Sequence, residues 1–366
     1  MRKFEITAGI ILLIIILGIF WIAAGDKTVE VTEKETKVGL ILNGSNQDNS
    51  WGQSHYEGLL KCAEELNLEV FCLESVPEDE TSMEFMEELI GQGCEIIICN
   101  SFSYGEWELQ VAEKYPDIFF FHATGVEVRE NLTTYFGRMY QMRYLSGIVA
   151  GMQTETNEIG YVAAFPISEV NRGINAFTLG VQAVNPDATV YVVWSNSWTD
   201  DSMNEEATSR LIAKHDIDVL AMHTDSNKPL EVAEQKGIWS IGYNIDNSKS
   251  YPNSYLTAPV WEWQDFYAPH ILECLQGKFQ GKHYWEGVET GLVSLAPLTD
   301  NVKPGIAETI ENERARLQSG TFDVFYGPIE DNEGNMRIAE GESMSDDAML
   351  NEFDWYVKGV VLDEEE

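Results

Sequence analysis

The sequence predicts an α/β protein with two lobes, each built on a parallel sheet flanked by helices. Three observations support this fold class. The chain has 366 residues, which is more than a single hydrophobic core usually serves. Short apolar runs alternate with stretches of helical spacing, the order expected for a parallel sheet covered by helices. This alternation runs through residues 37–155 and starts again at residue 156.

An almost uninterrupted apolar segment, Ile6–Ala24, lies near the N-terminus. Its length is close to the ~20 residues that span a bilayer, and Arg2 and Lys3 precede it. This charge pattern places the globular part outside the cytoplasm. Residues 1–27 are predicted to be a signal peptide or a membrane anchor, and the sequence leaves both open. Residues 28–36 form a polar linker, and we expect a bacterial protein that is extracytoplasmic, either attached to the outer face of the cell membrane or secreted.

The first predicted lobe comprises residues 37–155 and is joined again by about residues 256–290. Ser50 is the expected N-cap of its first helix, which starts at Trp51. The expected strands are Lys37–Leu42, Leu68–Leu73, Glu95–Cys99, Ile118–His122 and Leu132–Phe136, and the later helices are Ser82–Gln92, Gly105–Tyr115 and Met139–Met152.

The second predicted lobe comprises residues 156–255 and about 291–340, and it repeats the alternation of the first. Repeated crossing of the chain between the lobes predicts a hinge over a shared cleft. Residues 341–366 are predicted to be an acidic C-terminal segment. The expected strands of this lobe are Ile159–Phe165, Thr189–Trp194, Val219–His223, Trp239–Tyr243 and Phe322–Tyr326, and its expected helices are Ser168–Val184, Asn204–His215, Lys228–Gln235 and Ile306–Gln318. An expected strand, Tyr255–Pro259, and an expected helix, Gln264–Leu275, return the chain to the first lobe.

The charge of the chain excludes one class of partner. There are 61 acidic and 23 basic residues, and the resulting formal net charge of −38 repels phosphate polymers. Nucleic acid is therefore not an expected partner. The cysteines have neither the spacing of a disulfide framework nor that of a zinc site, so we expect free thiols, no metal and no cofactor. They are Cys62, Cys72, Cys94, Cys99 and Cys274.

The stretch KVGLILNGSNQDNSWGQSHYEGL, residues 37–59, is the most informative part of the sequence. An apolar strand there runs into a polar loop, a tryptophan and an amphipathic helix. In an open parallel sheet, ligands collect beyond the carboxyl ends of strands, where helix N-termini offer free N–H groups. The loop therefore predicts a site for a small, flat molecule with a polar edge. Its candidate ligand-binding residues are Asn43, Asp48, Asn49 and Trp51.

Other strand ends carry the same combination of aromatic and small polar residues. Each aromatic residue could instead pack in the core or between the lobes. Asp225 could be a helix N-cap, and Asp246 could belong to a turn. The further candidates for the cleft are Asn100, Phe102, Phe165, Trp198, Asp225 and Asp246.

An enzymatic function is an alternative to ligand binding, because α/β folds host many chemistries. The sequence has no G-x-S-x-G elbow, P-loop or H-E-x-x-H motif, and no dinucleotide fingerprint follows the first strand. His122 and His223 lie at strand ends where a general base could act, but neither has an evident nucleophile beside it. We therefore predict a binding protein and not an enzyme.

Several motifs occur in a fixed order along the chain and carry a family resemblance. After the stretch at residues 37–59 come YFGRMYQMRYLSGIVAG, GYVAAFPISEVNRGINAFTLGVQ, VWSNSWTDD, HTDSN, GYNID and VFYGPIEDNEG. The chain resembles the basic membrane protein (BMP) family of substrate-binding proteins for ATP-driven ABC importers, the group typified by purine nucleoside receptors. The resemblance implies a type I periplasmic-binding-protein fold, a purine ligand, and permease and ATPase subunits as partners. A monomer is the simplest arrangement for handing over the ligand.

The resemblance also implies roles for individual residues. Trp51 and Trp198 correspond to aromatic residues that enclose the purine, and Asp48 or Asn49 takes the polar role in the first loop. Asp225 and Asn244 fall where the family binds the base and the ribose.

Two departures from the family pattern bear on the ligand. Gly242-Tyr-Asn-Ile-Asp246 replaces the usual Gly-Val-Asp-x-Asp, and Pro259-Val-Trp261 replaces a segment that commonly has lysine. The lost carboxylate and lysine are groups suited to sugar hydroxyls, and Trp261 adds bulk. The departures therefore favour a free base such as adenine over a nucleoside.

Two other functions are compatible with the same fold. A membrane-anchored purine sensor would signal through the retained apolar segment, but only about five residues precede that segment, which favours delivery of the ligand. A nucleoside hydrolase would need a base, a nucleophile or a metal site that the sequence does not present.

Overall fold

The computed structural model describes residues 35–363. The apolar segment Ile6–Ala24, expected to be a signal peptide or an anchor, lies outside the described residues, as do most of the predicted linker and residues 364–366. Within residues 35–363, no helix combines the length and the apolar character needed to cross a bilayer.

The first half of the fold alternates strands and helices in the order that the sequence predicts. Only β4 leads to the next strand without an intervening helix. The elements are β1 (Thr36–Ile41), α1 (Trp51–Leu66), β2 (Leu68–Leu73), α2 (Ser82–Gly91), β3 (Ile96–Cys99), α3 (Gly105–Lys114), β4 (Phe119–Ala123), β5 (Leu132–Gly137) and α4 (Tyr140–Gln153).

The second half repeats this alternation and then adds shorter elements. The repeat consists of β6 (Glu158–Ala163), α5 (Ser168–Val184), β7 (Thr189–Trp194), α6 (Asp201–Lys214), β8 (Val219–His223), α7 (Lys228–Lys236), β9 (Trp239–Ile241) and β10 (Tyr255–Thr257). The later elements are β11 (Pro259–Trp261), α8 (Trp263–Leu275), β12 (His283–Glu286), β13 (Val293–Leu295), α9 (Ile306–Gln318), β14 (Ile329–Glu330), β15 (Met336–Ile338), α10 (Asp346–Asn351) and β16 (Val360–Leu362).

Two parallel six-stranded sheets organise the described residues. The first has the order β2-β1-β3-β4-β5-β12, and the second has the order β16-β7-β6-β8-β9-β10. The chain passes from one sheet to the other after β5, after β10 and after β12. The strands β11 and β13 form a short antiparallel ribbon beside these crossings. Two helix-flanked parallel sheets joined by several crossings are the architecture predicted from the sequence.

Burial on both faces explains why the central strands are continuous apolar runs. In β3, Ile96 and Ile98 belong to the main hydrophobic core, whereas Ile97 and Cys99 belong to a second core on the other face of the sheet. A strand covered by helices on both faces has no polar face, so its sequence does not alternate.

Two glycines allow α4 and α5 to cross with their backbones in contact. A Cβ atom at Gly147 would overlap the carbonyl oxygen of Phe177, and one at Gly180 would overlap that of Tyr144. Helix α4 follows β5 and leads to β6 of the second sheet. The crossing of α4 and α5 therefore fixes where the chain enters the second lobe.

The structure differs from the sequence-based expectation in the C-terminal part. The strand expected at Phe322–Tyr326 does not form; Phe325 donates its N–H to the side chain of Asp323 in a turn, and Tyr326 makes an isolated bridge with Ser343. The apolar run predicted a strand because Phe325 is a large apolar residue, but this buried side chain belongs to a turn. In the segment at residues 341–366, β16 pairs with β7 as an edge strand of the second sheet.

Candidate functional site

The carboxyl edges of the two sheets meet across a line of hydrogen bonds. Asn244 Nδ2, beyond the end of β9, donates to Ser50 Oγ at 2.9 Å. Asn227 Nδ2 and Asn247 Nδ2 both donate to the main-chain oxygen of Asn49, at 3.0 and 3.1 Å. These contacts join the loop before α1 to loops of the second lobe, so the loops at the carboxyl ends of the two sheets lie against each other there.

Asp48 holds the loop at the start of α1. Its carboxylate accepts N–H groups from Ser50 (2.8 Å), Gly52 (2.8 Å) and Gln53 (3.0 Å). Asp48 therefore caps the helix. The sequence predicts Ser50 as the N-cap, but the side chain of Ser50 makes no capping hydrogen bond. Burial raises the pKa of Asp48, and the three N–H groups oppose this shift.

Trp51 lies at the centre of the first-lobe half of the site. Its indole N–H donates to the main-chain oxygen of Asn100 at 2.9 Å, and its ring remains partly exposed. The Trp261 ring packs edge-on against it with centroids 5.7 Å apart. Trp261 also stacks on Trp263 at 4.5 Å. The structure thus brings the predicted residues Trp51 and Trp261 into one aromatic cluster.

Asn100 presents an unused donor beside Trp51. Its Oδ1 accepts the N–H of Asn43 at 3.0 Å, and it is fully buried at the end of β3. Among residues 35–363, no atom accepts a hydrogen bond from Asn100 Nδ2. Because a buried amide without a partner is costly, this N–H group is suited to a hydrogen-bond acceptor on a ligand.

Trp198 occupies the corresponding place in the second lobe. The Phe165 ring lies 6.1 Å from it in an edge arrangement. Its main-chain oxygen accepts the N–H of Asp225 at 2.8 Å, so the tryptophan and the carboxylate have a fixed relation. The two predicted aromatic residues therefore line the second lobe next to an acidic group.

Asp225 and Asn244 are tied to each other and to the first lobe. Asn244 Nδ2 donates to Asp225 Oδ1 at 2.8 Å, and Trp261 Nε1 donates to Asn244 Oδ1 at 2.9 Å. Asn244 Nδ2 also donates to Ser50 Oγ, so both amide hydrogens of Asn244 are in hydrogen bonds. Burial raises the pKa of Asp225 to about 7, and the nearby carboxylate of Asp48 adds to the rise.

Two cavities lie next to these residues. One of about 370 Å³ is lined by both lobes and includes Asp48, Asn49, Asp225 and Thr199, the neighbour of Trp198. A larger crevice of about 620 Å³ runs over the ribbon of β11 and β13. The smaller one adjoins the predicted polar residues of the site.

Two predicted site residues lie at the margins. Phe102 is 62% exposed on the turn after β3. Asp246 is exposed, and its carboxylate accepts the N–H of Ser248 at 2.9 Å, as expected for a turn residue. Asp246 lines the larger crevice with Asn49 and Trp261.

The sequence did not single out three residues that the structure places at the cleft or behind it. Asn227 and Asn247 join the lobes, and their only signal was a polar loop after a strand. Arg143 is 1% exposed, and its guanidinium lies 3.9 Å from the centre of the Tyr243 ring. A lone charge inside the apolar helix YQMRYL was the signal that could have revealed it.

Comparisons with known proteins agree with this architecture. A family model described as ABC transporter substrate-binding protein, PnrA-like, matches residues 35–322. A purine-binding protein of Brucella abortus is 34% identical over 330 residues, 90% of this chain and 93% of that protein. A protein of Haloferax volcanii named as a glucose-binding protein of an ABC transporter is 35% identical over 314 residues, 86% of this chain and 77% of that protein.

A solved structure supports the fold independently. The solute-binding protein of an ABC transporter from Conexibacter woesei has a TM-score of 0.68 at 18% identity, covering 79% of this chain and 98% of that one. The predicted two-lobe type I periplasmic-binding-protein fold is thus confirmed, and the family is one of solute-binding proteins and not of enzymes. The chain belongs to the Bmp family of PnrA-like ABC transporter substrate-binding proteins.

Proposed function

We propose that this protein captures a purine between its two lobes and delivers it to an ABC permease, and that it prefers a free base such as adenine to a nucleoside. The observation that carries the proposal is the site itself. A partly exposed Trp51 lies beside the unused amide of Asn100, and Asp225 of the other lobe is linked through Asn244 to Trp261, which packs on Trp51. The identity of 34% to a purine-binding protein along nearly the whole chain supports the same ligand class.

The chemistry of a purine matches these groups. Stacking on an aromatic side chain contributes ~1–3 kcal/mol per base. The ring nitrogens accept hydrogen bonds, as Asn100 Nδ2 requires, and the amino and ring N–H groups donate to carboxylates such as Asp225. A ligand without these groups would leave buried polar atoms unpaired, which is how such a site discriminates.

The hydrogen bonds of Asn244 favour a base over a nucleoside. Both of its amide hydrogens are taken by Ser50 and Asp225, and its oxygen accepts from Trp261. A ribose hydroxyl therefore finds no free donor on Asn244. Trp261, which stands where the family commonly has lysine, is 5% exposed and packs between other aromatic rings.

A hexose is the second candidate ligand, because the relative named as glucose-binding is as similar to this chain as the purine-binding one. Aromatic faces with carboxylate and amide neighbours also suit sugar hydroxyls. A purine has ring nitrogens that can accept a hydrogen bond from Asn100 Nδ2, whereas a hexose has no ring nitrogen.

Calorimetric titration of the full chain in detergent with adenine, adenosine and glucose tests the proposal. We expect adenine to bind and to raise the melting temperature, since a ligand specific for the native state stabilises it. Equal affinity for adenine and adenosine would remove the preference for the base. Binding of glucose alone would replace the purine by a hexose.

We further propose that the protein acts outside the cytoplasmic membrane as a monomer attached through residues 1–27. Substrate-binding proteins of ABC importers are extracytoplasmic, and the family implies permease and ATPase subunits as partners. Stimulation of ATP hydrolysis in vesicles that contain the partner importer, on addition of protein and adenine together, is the expected result. No stimulation by the liganded protein would argue against delivery.

A further inference from the structure

A polar cluster lies behind Trp198 at the carboxyl edge of the second sheet. It consists of Glu169 in the first turn of α5, His223 at the end of β8, Tyr161 in β6, and Arg143 in α4. Sequence analysis assigned no ligand contact to any of these residues. Their arrangement bears on which purines the site accepts.

His223 directs one ring nitrogen at Glu169. The side chain is 2% exposed, and its Nδ1 lies 3.2 Å from the hydroxyl of Tyr161. Its Nε2 has no hydrogen-bond partner in the described part of the chain and lies 3.8 Å from Glu169 Oε1. A Cβ atom at Gly173 would come within 2.8 Å of the imidazole, so the ring is held against α5.

The imidazole is neutral and therefore has one donor. Burial lowers the pKa of His223 well below its usual value, and the charges of Arg143 and Arg172 lower it further. When Nδ1 accepts the hydroxyl proton of Tyr161, Nε2 carries the hydrogen and directs it toward the Glu169 carboxylate. The distance of 3.8 Å is longer than a hydrogen bond, so this N–H attracts the carboxylate electrostatically and leaves both of its oxygens for other donors.

Glu169 has the exposure that a ligand contact requires. Its side chain is 28% exposed, and it makes no hydrogen bond to any of residues 35–363. Burial raises the pKa of Glu169, and the positive charges of Arg172 and Arg143 oppose that rise and favour the ionised form. The carboxylate is thus a partly exposed acceptor beside His223 that has no hydrogen-bond partner within residues 35–363.

The cluster adjoins the aromatic residues that we propose to stack on the ligand. The rings of His223 and Trp198 are 6.1 Å apart, and Phe165, four residues before Glu169, lies 6.1 Å from Trp198. A flat molecule stacked on Trp198 would extend its edge toward Glu169.

We propose that Glu169 is a specificity-determining ligand contact, with His223 as its positioning residue, and that its carboxylate accepts the imidazole-ring N–H of a free purine base. This inference rests on the proposed purine function and deepens it. A free base has one such N–H, whereas a nucleoside or a 9-alkylated base has lost it. Glu169 would therefore supply a positive reason for selecting the base.

Titration of the full chain with adenine and 9-methyladenine tests the contact. Both ligands stack equally well, but 9-methyladenine lacks the ring N–H. The wild-type protein should bind adenine more tightly, and Glu169→Gln should lower adenine affinity by about 10- to 100-fold, the range for hydrogen bonds to charged groups, while changing 9-methyladenine affinity little. Glu311→Gln, an exposed site on α9, is the matched control for loss of one charge and should change neither affinity.

Two variants of His223 separate positioning from general structural support. In His223→Gln the amide nitrogen can take the place of Nε2, whereas in His223→Asn it can reach only the place of Nδ1. We expect His223→Gln to retain the adenine preference and His223→Asn to lose it. Thermal unfolding without ligand will identify variants that do not fold, and those are excluded from the comparison.

The outcomes separate this inference from the proposed function. If Glu169→Gln lowers both affinities equally or neither, then Glu169 does not read the ring N–H, although the purine function stands. If the wild-type protein binds adenine and 9-methyladenine equally, the inference also fails. If it binds no purine, the proposed function fails and the inference with it.

Discussion

Asp225 is the residue whose ionisation most directly couples the site to stability. Burial and the neighbouring Asp48 raise its pKa from an ordinary 3.8 to about 7. In the unfolded chain the group loses its proton near pH 3.8, but in the folded protein it keeps it until about pH 7. The contribution of Asp225 to stability is therefore fully present below pH 3.8 and is lost as the pH rises from 3.8 to about 7.

We therefore expect Asp225→Asn to reduce the loss of stability between about pH 5 and about pH 7.5. The amide keeps an oxygen for Asn244 Nδ2 but carries no charge at any of these pH values. Urea unfolding at both pH values gives the free energy of unfolding for each protein. Asp246→Asn, at an exposed aspartate, is the control. An unchanged pH dependence in Asp225→Asn would mean that the buried carboxyl is not the source.

Trp51 provides the second prediction for a single residue. Trp51→Ala should weaken adenine binding by about 10- to 100-fold, because a stacking face is lost. Trp51→Phe keeps a ring but loses the N–H that donates to Asn100, so it should retain most of the affinity. Calorimetry at one temperature measures all three proteins. Wild-type affinity in Trp51→Ala would place the ligand elsewhere.

The residues of the site could be predicted better than their roles. Asp225 comes soon after strand β8, Trp51 follows the polar loop after β1, and the carboxyl ends of parallel strands meet at one edge, so the sequence predicts both residues at the cleft. The bond from Asn244 to Ser50 joins residues 194 positions apart, which no local pattern indicates. Asp48 stays a predicted ligand contact, but its second role, accepting the N–H groups of Ser50, Gly52 and Gln53 at the start of α1, was not predicted.

At the scale of elements, the length of the apolar run decides which strands can be predicted from the sequence. Strand β8 is buried throughout and was predicted with its observed bounds, Val219–His223. Strand β12, HYWE, was missed because it is a partly exposed edge strand and has no apolar run. Strand β16 was missed for a related reason: it is a short edge strand within an acidic segment. Strand β2, LEVFCL, is also a partly exposed edge strand, but it carries a longer apolar run and was predicted with its observed bounds, Leu68–Leu73.

The crossing of α4 and α5 gives a prediction for this scale. Gly147→Ala places a methyl group against the Phe177 carbonyl, so the helices must separate, at a cost of about 1–3 kcal/mol. Gly91→Ala in α2 is the matched control, because its Cβ would meet no described atom within 4 Å and alanine favours a helix. Urea denaturation measures both. Equal stability of the two variants would show that the crossing relaxes without cost.

For the whole molecule, the lobes are packed together at the crossing of α4 and α5, whereas the contacts named across the cleft are polar. Asn227 and Asn247 donate to one carbonyl, and Asn244 donates to Ser50. A typical hydrogen bond contributes only about 0.5–1.5 kcal/mol net. Breaking these bonds would cost little, so we expect the differential affinity of a ligand for a closed form to decide whether the cleft is closed.

The large negative net charge lowers the stability of the whole folded molecule. With 61 acidic against 23 basic residues, like charges repel one another across the surface of the folded protein. This repulsion destabilises the compact state, and it is weaker in the expanded unfolded chain. Salt shortens the range of the repulsion, from about 10 Å at 0.1 M to about 3 Å at 1 M.

We therefore expect the melting temperature to rise as sodium chloride increases from about 0.1 M to about 1 M. Differential scanning fluorimetry at neutral pH measures the rise. The same series at about pH 4, where many carboxyl groups are protonated, is the control and should give a smaller rise, because the charge that salt screens has been reduced. Salt that raised the melting temperature equally at both pH values would be acting on apolar surface and not on charge. A melting temperature independent of salt would mean that ion pairs such as Lys114–Glu87 already offset the repulsion.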